Sequence, residues 1–235
     1  MQKLLWNISW LVLRPLMRFF CRFKIIGHEN IRDAEIPAIL TIAVHANIFD
    51  AYIVGAALPF NSGFFPVRFM IRRKIFDIPL IRPILKIYGA FKVIRGMGIL
   101  KALEPAINLI KQKYSIGIFV EGKISMEGEL RKARPGAAAL SFLTGASIIP
   151  VALQGTHQIR NPLKFIFTQR KIIVSFGKPI KPTDFNLPEN KNLESQEAVE
   201  KFTKIIEDQI KILLHKNFVS AGAERKKLYF RALKV

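Results

Sequence analysis

His45 and Asp50 are separated by four residues in Leu40-Thr-Ile-Ala-Val-His45-Ala-Asn-Ile-Phe-Asp50, directly behind an apolar run. An imidazole with a carboxylate in reach is a general base with its orienting partner. The carboxylate accepts one ring N–H, fixes the tautomer, and offsets the charge that arises when the other nitrogen takes a proton. At helical pitch five positions turn a side chain through about 140°, so the two groups meet only if His45 stays in a turn and Asp50 opens a helix. The bland alternative is an aspartate at a helix N-terminus beside a hydrogen-bonded histidine, which the helix dipole alone explains.

Such a pair needs a strand ahead of it and a helix behind. Apolar runs at residues 23–26, 38–44, 68–71, 90–94, 115–120, 148–153 and 172–176 read as strands, and helical periodicity at 51–58, 99–113 and 136–143 falls between several of them. This alternation predicts an α/β fold, a mixed and mostly parallel sheet flanked by helices. The polar stretch 181–195 predicts a loop leading into a helix over 196–215. A basic tail follows, with Arg225, Lys226, Lys227, Arg231 and Lys234 among Tyr229 and Phe230, either a solvated end or a second membrane contact. The expected division is an N-terminal membrane helix over 1–24, one domain over 25–220 and the tail over 221–235.

The first segment has a helical period over residues 4–23. Trp6, Trp10, Leu13, Met17 and Phe20 share one face, and Arg14, Arg18 and Arg22 follow one another at every fourth position on another. This pattern predicts an amphipathic helix lying in a lipid headgroup region, in preference to one that merely covers the core. The uncharged stretch ends at Arg14 and Pro15 follows, short of the roughly 20 apolar residues that a span needs. No small-residue cleavage site of a secretory signal precedes the arginines.

Composition favours the same partner. The 37 Lys and Arg against 17 Asp and Glu leave a net charge of +20, a field that attracts polyanions. None of the usual nucleic-acid modules is present, so nucleic acid is not expected, and the mean hydropathy of +0.23 leans toward lipid. The single cysteine, Cys21, lies between Phe20 and Arg22 in an apolar segment and reads as a packed small hydrophobe; four scattered histidines have no metal-ligand spacing. A peripheral or monotopic protein on the cytoplasmic face of a membrane, without metal or cofactor, is the expectation.

Further along lie Gly89-Ala-Phe-Lys-Val-Ile-Arg95, Ile118-Phe-Val-Glu121-Gly122-Lys123-Ile-Ser125 and Ile148-Ile-Pro150-Val-Ala152. In order and spacing, these blocks and the His45/Asp50 block resemble the four motif blocks of the glycerolipid acyltransferases, the 1-acylglycerol-3-phosphate acyltransferase family. The resemblance covers most of the chain. It implies His45 and Asp50 as the catalytic pair, Arg95 as a contact of the acceptor's phosphate, and Glu121 and Gly122 in the lining of the acceptor site. It places Pro150 on the acyl-donor side.

The third block departs from the family's usual Phe-Pro-Glu-Gly-Thr-Arg-Ser. Ile124 stands in place of its arginine, which removes a bidentate phosphate ligand. Lys123, Ser125 and Lys92 join the candidate acceptor site, Lys123 as a replacement cation that lacks the guanidinium fork, with Arg131, Lys132 and Arg134 close behind. Arg72, Arg73 and Lys74 occupy a basic stretch of the family and either meet the donor's phosphates or form a solvated turn. The implied substrates are acyl-CoA or acyl-ACP and an anionic lyso-lipid acceptor at a membrane surface. Neither a Gly-x-Ser-x-Gly elbow nor a complete dinucleotide loop is present. The competing class is a non-catalytic basic lipid- or nucleic-acid-binding protein of the same fold.

Overall fold

The computed structural model describes residues 2–32, 34–46, 49–93, 96, 98–124, 130–156, 171–187, 193 and 195–232, with side chains as far as residue 215. The described helices are α1 (Gln2–Phe20), α2 (Glu29–Arg32), α3 (Asp50–Ala57), α4 (Arg73–Phe76), α5 (Arg82–Ile87), α6 (Ile99–Lys111), α7 (Gly136–Thr144) and α8 (Gln196–Ala232). The strands are β1 (Arg22–Ile26), β2 (Ile39–Ala43), β3 (Arg68–Arg72), β4 (Phe91–Val93), β5 (Ile116–Phe119), β6 (Ile148–Gln154) and β7 (Lys171–Phe176). They form one sheet in the order β1-β7-β6-β2-β5-β3-β4, parallel throughout except between β6 and β7. Every apolar run read as a strand matches one to within a residue at either end, and the mixed, mostly parallel α/β sheet is the expected class.

The sheet is covered on both faces. Along β2 all five residues are buried, and they alternate between two cores. Ile39 and Ala43 pack with Leu103, Leu140 and Phe202 of α6, α7 and α8; Leu40 and Ile42 pack with Ile53 of α3 and Trp6 and Met17 of α1. A strand buried on both sides has to be apolar almost without interruption, which is why residues 38–44 showed no polar alternation. Its one polar side chain, Thr41, donates to Ile149 O at 3.3 Å.

Two expectations are corrected. The face of α1 that carries both tryptophans points into the protein. Trp6 is 3% exposed, and its ring stacks on Phe65 and Phe69. Its indole N–H donates to Tyr88 O at 3.2 Å, and that of Trp10 to Leu58 O at 2.9 Å. Trp6 can lie this close to α3 because Gly55 faces it; a Cβ there would stand 2.3 Å from the indole. The opposite side of α1 is apolar too: Leu4, Ile8, Leu11, Val12, Leu16 and Phe19 are exposed, Phe19 by 80%. No described helix is long and apolar enough to cross a membrane. The second correction concerns α8, which continues past its expected end at residue 215 to Ala232, so residues 223–232 lie on this helix.

Candidate active site

The parallel strands β2, β3, β4 and β5 deliver their C-terminal ends to one edge of the sheet, where α/β folds of this kind hold ligands. β2 ends at Ala43, Val44 turns with φ at +65°, His45 follows, and α3 begins at Asp50. His45 therefore sits in the turn and Asp50 in the first helical turn, the arrangement in which the two can meet.

They do meet. His45 Nδ1 lies 2.9 Å from Asp50 Oδ2, which also accepts the Ala46 N–H at 2.7 Å. Asp50 is fully buried while the His45 side chain is 17% exposed. A carboxylate shut in this way requires the ring proton on Nδ1, which leaves Nε2 as the atom that can take a proton. The imidazole also stacks on Phe119 at the end of β5, with 3.9 Å between ring centroids and 25° between planes. Sequence reasoning passed over Phe119; the available signal was an aromatic residue at the strand end just ahead of the Glu121-Gly122 pair.

The turn after β5 lies against this loop. Glu121 is 4% exposed, and its Oε1 accepts the N–H of Val44 at 3.0 Å and of Arg131 at 3.3 Å. Desolvation raises the pKa of Glu121 above the ordinary carboxylate value, against the opposing pull of the Val44, Arg131 and His45 backbone N–H groups. Gly122 takes φ of +60°, a conformation that a residue with a side chain adopts only at a cost. Two guanidinium groups meet the backbone here: Arg72 donates to Gly122 O, and Arg134 Nε donates to Glu121 O at 3.3 Å. Arg72, assigned to the donor side, thus stands beside residues assigned to the acceptor. Lys123 and Ile124 are exposed.

Other assigned residues fall elsewhere. Arg73, from the donor group, and Lys92, from the acceptor group, both face Asp77, at 3.2 and 3.9 Å. Pro150 is buried inside the sheet, paired with Thr41 four residues ahead of His45 along the neighbouring strand. Its carbonyl accepts from Gly177 just beyond the end of the β7 pairing, where a residue without an N–H is tolerated. Pro150 therefore sits within the scaffold of the sheet, on the strand beside the one that leads to His45. Arg95 and Ser125 lie outside the described residues.

Comparison with known proteins gives the family. Residues 22–154 match the family model described as Acyltransferase. The chain is 29% identical over 211 residues to the 1-acyl-sn-glycerol-3-phosphate acyltransferase of Borreliella burgdorferi, covering 87% of this chain and 78% of that one. It is 26% identical over 194 residues to the enzyme of that name from Bacillus subtilis, covering 82% and 88%. It is 28% identical over 142 residues to a chloroplastic 1-acyl-sn-glycerol-3-phosphate acyltransferase of Arabidopsis thaliana, covering 60% of this chain; the match spans 38% of that relative's length. In fold it is similar to the crystal structure of the 1-acyl-sn-glycerophosphate acyltransferase PlsC from Thermotoga maritima, with a TM-score of 0.65, 18% identity, and coverage of 90% and 80%. With the family model matching more than half of its residues, the chain belongs to the acyltransferase family.

Proposed function

We propose that this chain transfers a fatty acyl group from an acyl thioester to the free hydroxyl of a lysophosphatidate-like acceptor. The carrying observation is the buried Asp50 carboxylate on His45 Nδ1, which leaves Nε2 as the base at the edge of the sheet. The named relatives act on 1-acylglycerol 3-phosphate, and the two guanidinium groups on the Glu121-Gly122 turn suit such an anion. They supply the fork that Ile124 lacks.

Nε2 takes the acceptor's hydroxyl proton as that oxygen attacks the thioester carbonyl. The new C–O bond forms, the C–S bond breaks as the tetrahedral intermediate collapses, and the imidazolium returns its proton to the thiolate. Asp50 holds the ring in the required tautomer and offsets its transient charge. General-base help of this kind supplies about a hundred- to ten-thousand-fold, and holding two bulky substrates together supplies much of the remainder. Acyl-CoA and acyl-ACP both present a phosphopantetheine thioester, and the chain's net charge of +20 suits either donor.

The outward face of α1 is the membrane contact in this reading. A helix apolar on both sides buries one against its protein, and the other calls for a second apolar medium. Arg18, also exposed on α1, adds attraction to anionic headgroups.

The deciding experiment incubates purified protein with vesicles, an acyl thioester and a panel of lysophosphatidate, glycerol 3-phosphate and lysophospholipids. Free thiol released only when an acceptor is present supports the reading, and the fastest acceptor identifies the substrate. Silence across the panel with either donor refutes it.

A further inference from the structure

Glu121 is a buried carboxyl that this mechanism does not use, on a block whose resemblance assigns it to the acceptor. Its contacts run in another direction. Oε1 accepts the Val44 N–H at 3.0 Å, and the His45 backbone N–H also favours its anion. Val44 is β-branched, 2% exposed, and held at φ of +65°, a region such residues avoid unless the surroundings enforce it. The residue after that turn is the base. Beyond it, the Ala46 N–H is taken by Asp50. Carboxylates therefore bracket the turn on both sides, Glu121 from the β5 end and Asp50 from α3.

We infer that Glu121 is a positioning residue for the base: its carboxyl group holds the left-handed turn at Val44 that delivers His45 to Asp50. This rests on the acyltransferase reading above. At 4% exposure, with the Arg131 N–H on the same oxygen as the Val44 N–H, the group is turned into the protein. Displacement of a catalytic group by about 1 Å costs on the order of a hundredfold in rate, so a tether of this kind acts on kcat.

The test is a set of kinetic constants for acceptor and donor in Glu121→Ala, Glu121→Gln, Val44→Gly and the double variant Val44→Gly/Glu121→Ala, with folding checked by circular dichroism. Should Glu121→Ala not fold, Glu121→Asp, one methylene shorter, takes its place. The expected result is a fall in kcat of about 30- to 100-fold in Glu121→Ala with both KM values within about threefold. Glu121→Gln, whose amide oxygen still accepts the Val44 N–H, recovers most of it. Val44→Gly recovers about tenfold in the Glu121→Ala background, because glycine adopts the turn without a tether. A rise of tens of fold in acceptor KM at unchanged kcat, or no recovery by glycine, overturns the inference.

The His45 Nδ1–H proton resonance gives a second readout that needs no turnover. Its displacement in Glu121→Ala and retention in Glu121→Gln support the tether, and an unchanged resonance in both refutes it. Wild-type protein inactive on every acceptor defeats the proposed function and leaves the tether to be decided by that resonance.

Discussion

The imidazole of His45 lies over the ring of Phe119, 3.9 Å between centroids and 25° from parallel. Asp50 fixes the ring at one nitrogen, and Phe119 fixes its plane, so the direction of Nε2 depends on both. Phe119→Leu keeps apolar cover but removes the flat surface. An aromatic contact contributes about 0.5–1.5 kcal/mol, so kcat is expected to fall about three- to tenfold with the acceptor KM unchanged, read by thiol release.

His45→Ala removes the proposed base and is expected to lower kcat by about a hundred- to ten-thousand-fold. Asp50→Asn keeps the volume but turns an amide donor toward Nδ1, which pushes the ring proton to Nε2, where it blocks the base. Its loss should approach that of His45→Ala, and the double variant should lose little more, since the two act as one unit. Additive losses would mean that Asp50 acts independently of the imidazole.

Arg72→Ala and Arg134→Ala each remove a guanidinium from the Glu121-Gly122 turn. A charge-assisted contact is worth about 1.5–3 kcal/mol, so each variant is expected to raise the KM of a phosphate-bearing acceptor by about 10- to 100-fold. The donor KM separates the alternatives: if it rises instead, Arg72 belongs to the thioester side.

The two faces of α1 should respond differently to substitution. Leu11→Asp and Phe19→Asp on the outer face are expected to abolish sedimentation with anionic vesicles and to move the unfolding temperature by no more than about 2 °C. Trp6→Ala on the inner face should cost about 3–5 kcal/mol of stability, read by denaturant unfolding.

The raised pKa of Glu121 gives a signed pH dependence. Between its ordinary value of 4.5 and its higher folded value, the folded protein holds a proton that the unfolded chain has lost. Stability from this group is therefore greatest below 4.5 and falls as pH rises through the folded pKa. Glu121→Gln has nothing to ionise, so the wild-type unfolding temperature should decline relative to that variant across this window; a constant difference would contradict the burial.

Much of the scaffold was legible because its signals are local. A run such as residues 38–44 has to be a strand between two cores, since nothing else of that length buries both faces, and the alternation of strands with helical periods gave the layered sheet. The His45 and Asp50 pair was legible as a possibility, with the condition under which it meets stated by helix geometry. The site's other partners were not. Phe119 and Glu121 reach the His45 turn because β5 pairs with β2, from more than 70 residues away in sequence. Arg72 reaches Gly122 from a third strand, and Asp77 gathers Arg73 and Lys92 from groups the blocks had kept apart.

Helix α1 shows where the line falls. The sequence by itself determined that this helix has a tryptophan face and a stripe of arginines on another face. It also pointed to the family, through motif blocks whose order and spacing resemble the family's. Only the tertiary structure decided that the tryptophans go inward, against Gly55 and Tyr88, and that Leu11 and Phe19 stay outside. The reason is physical: periodicity fixes which residues share a face, but what covers that face depends on the shape and packing of segments distant in sequence.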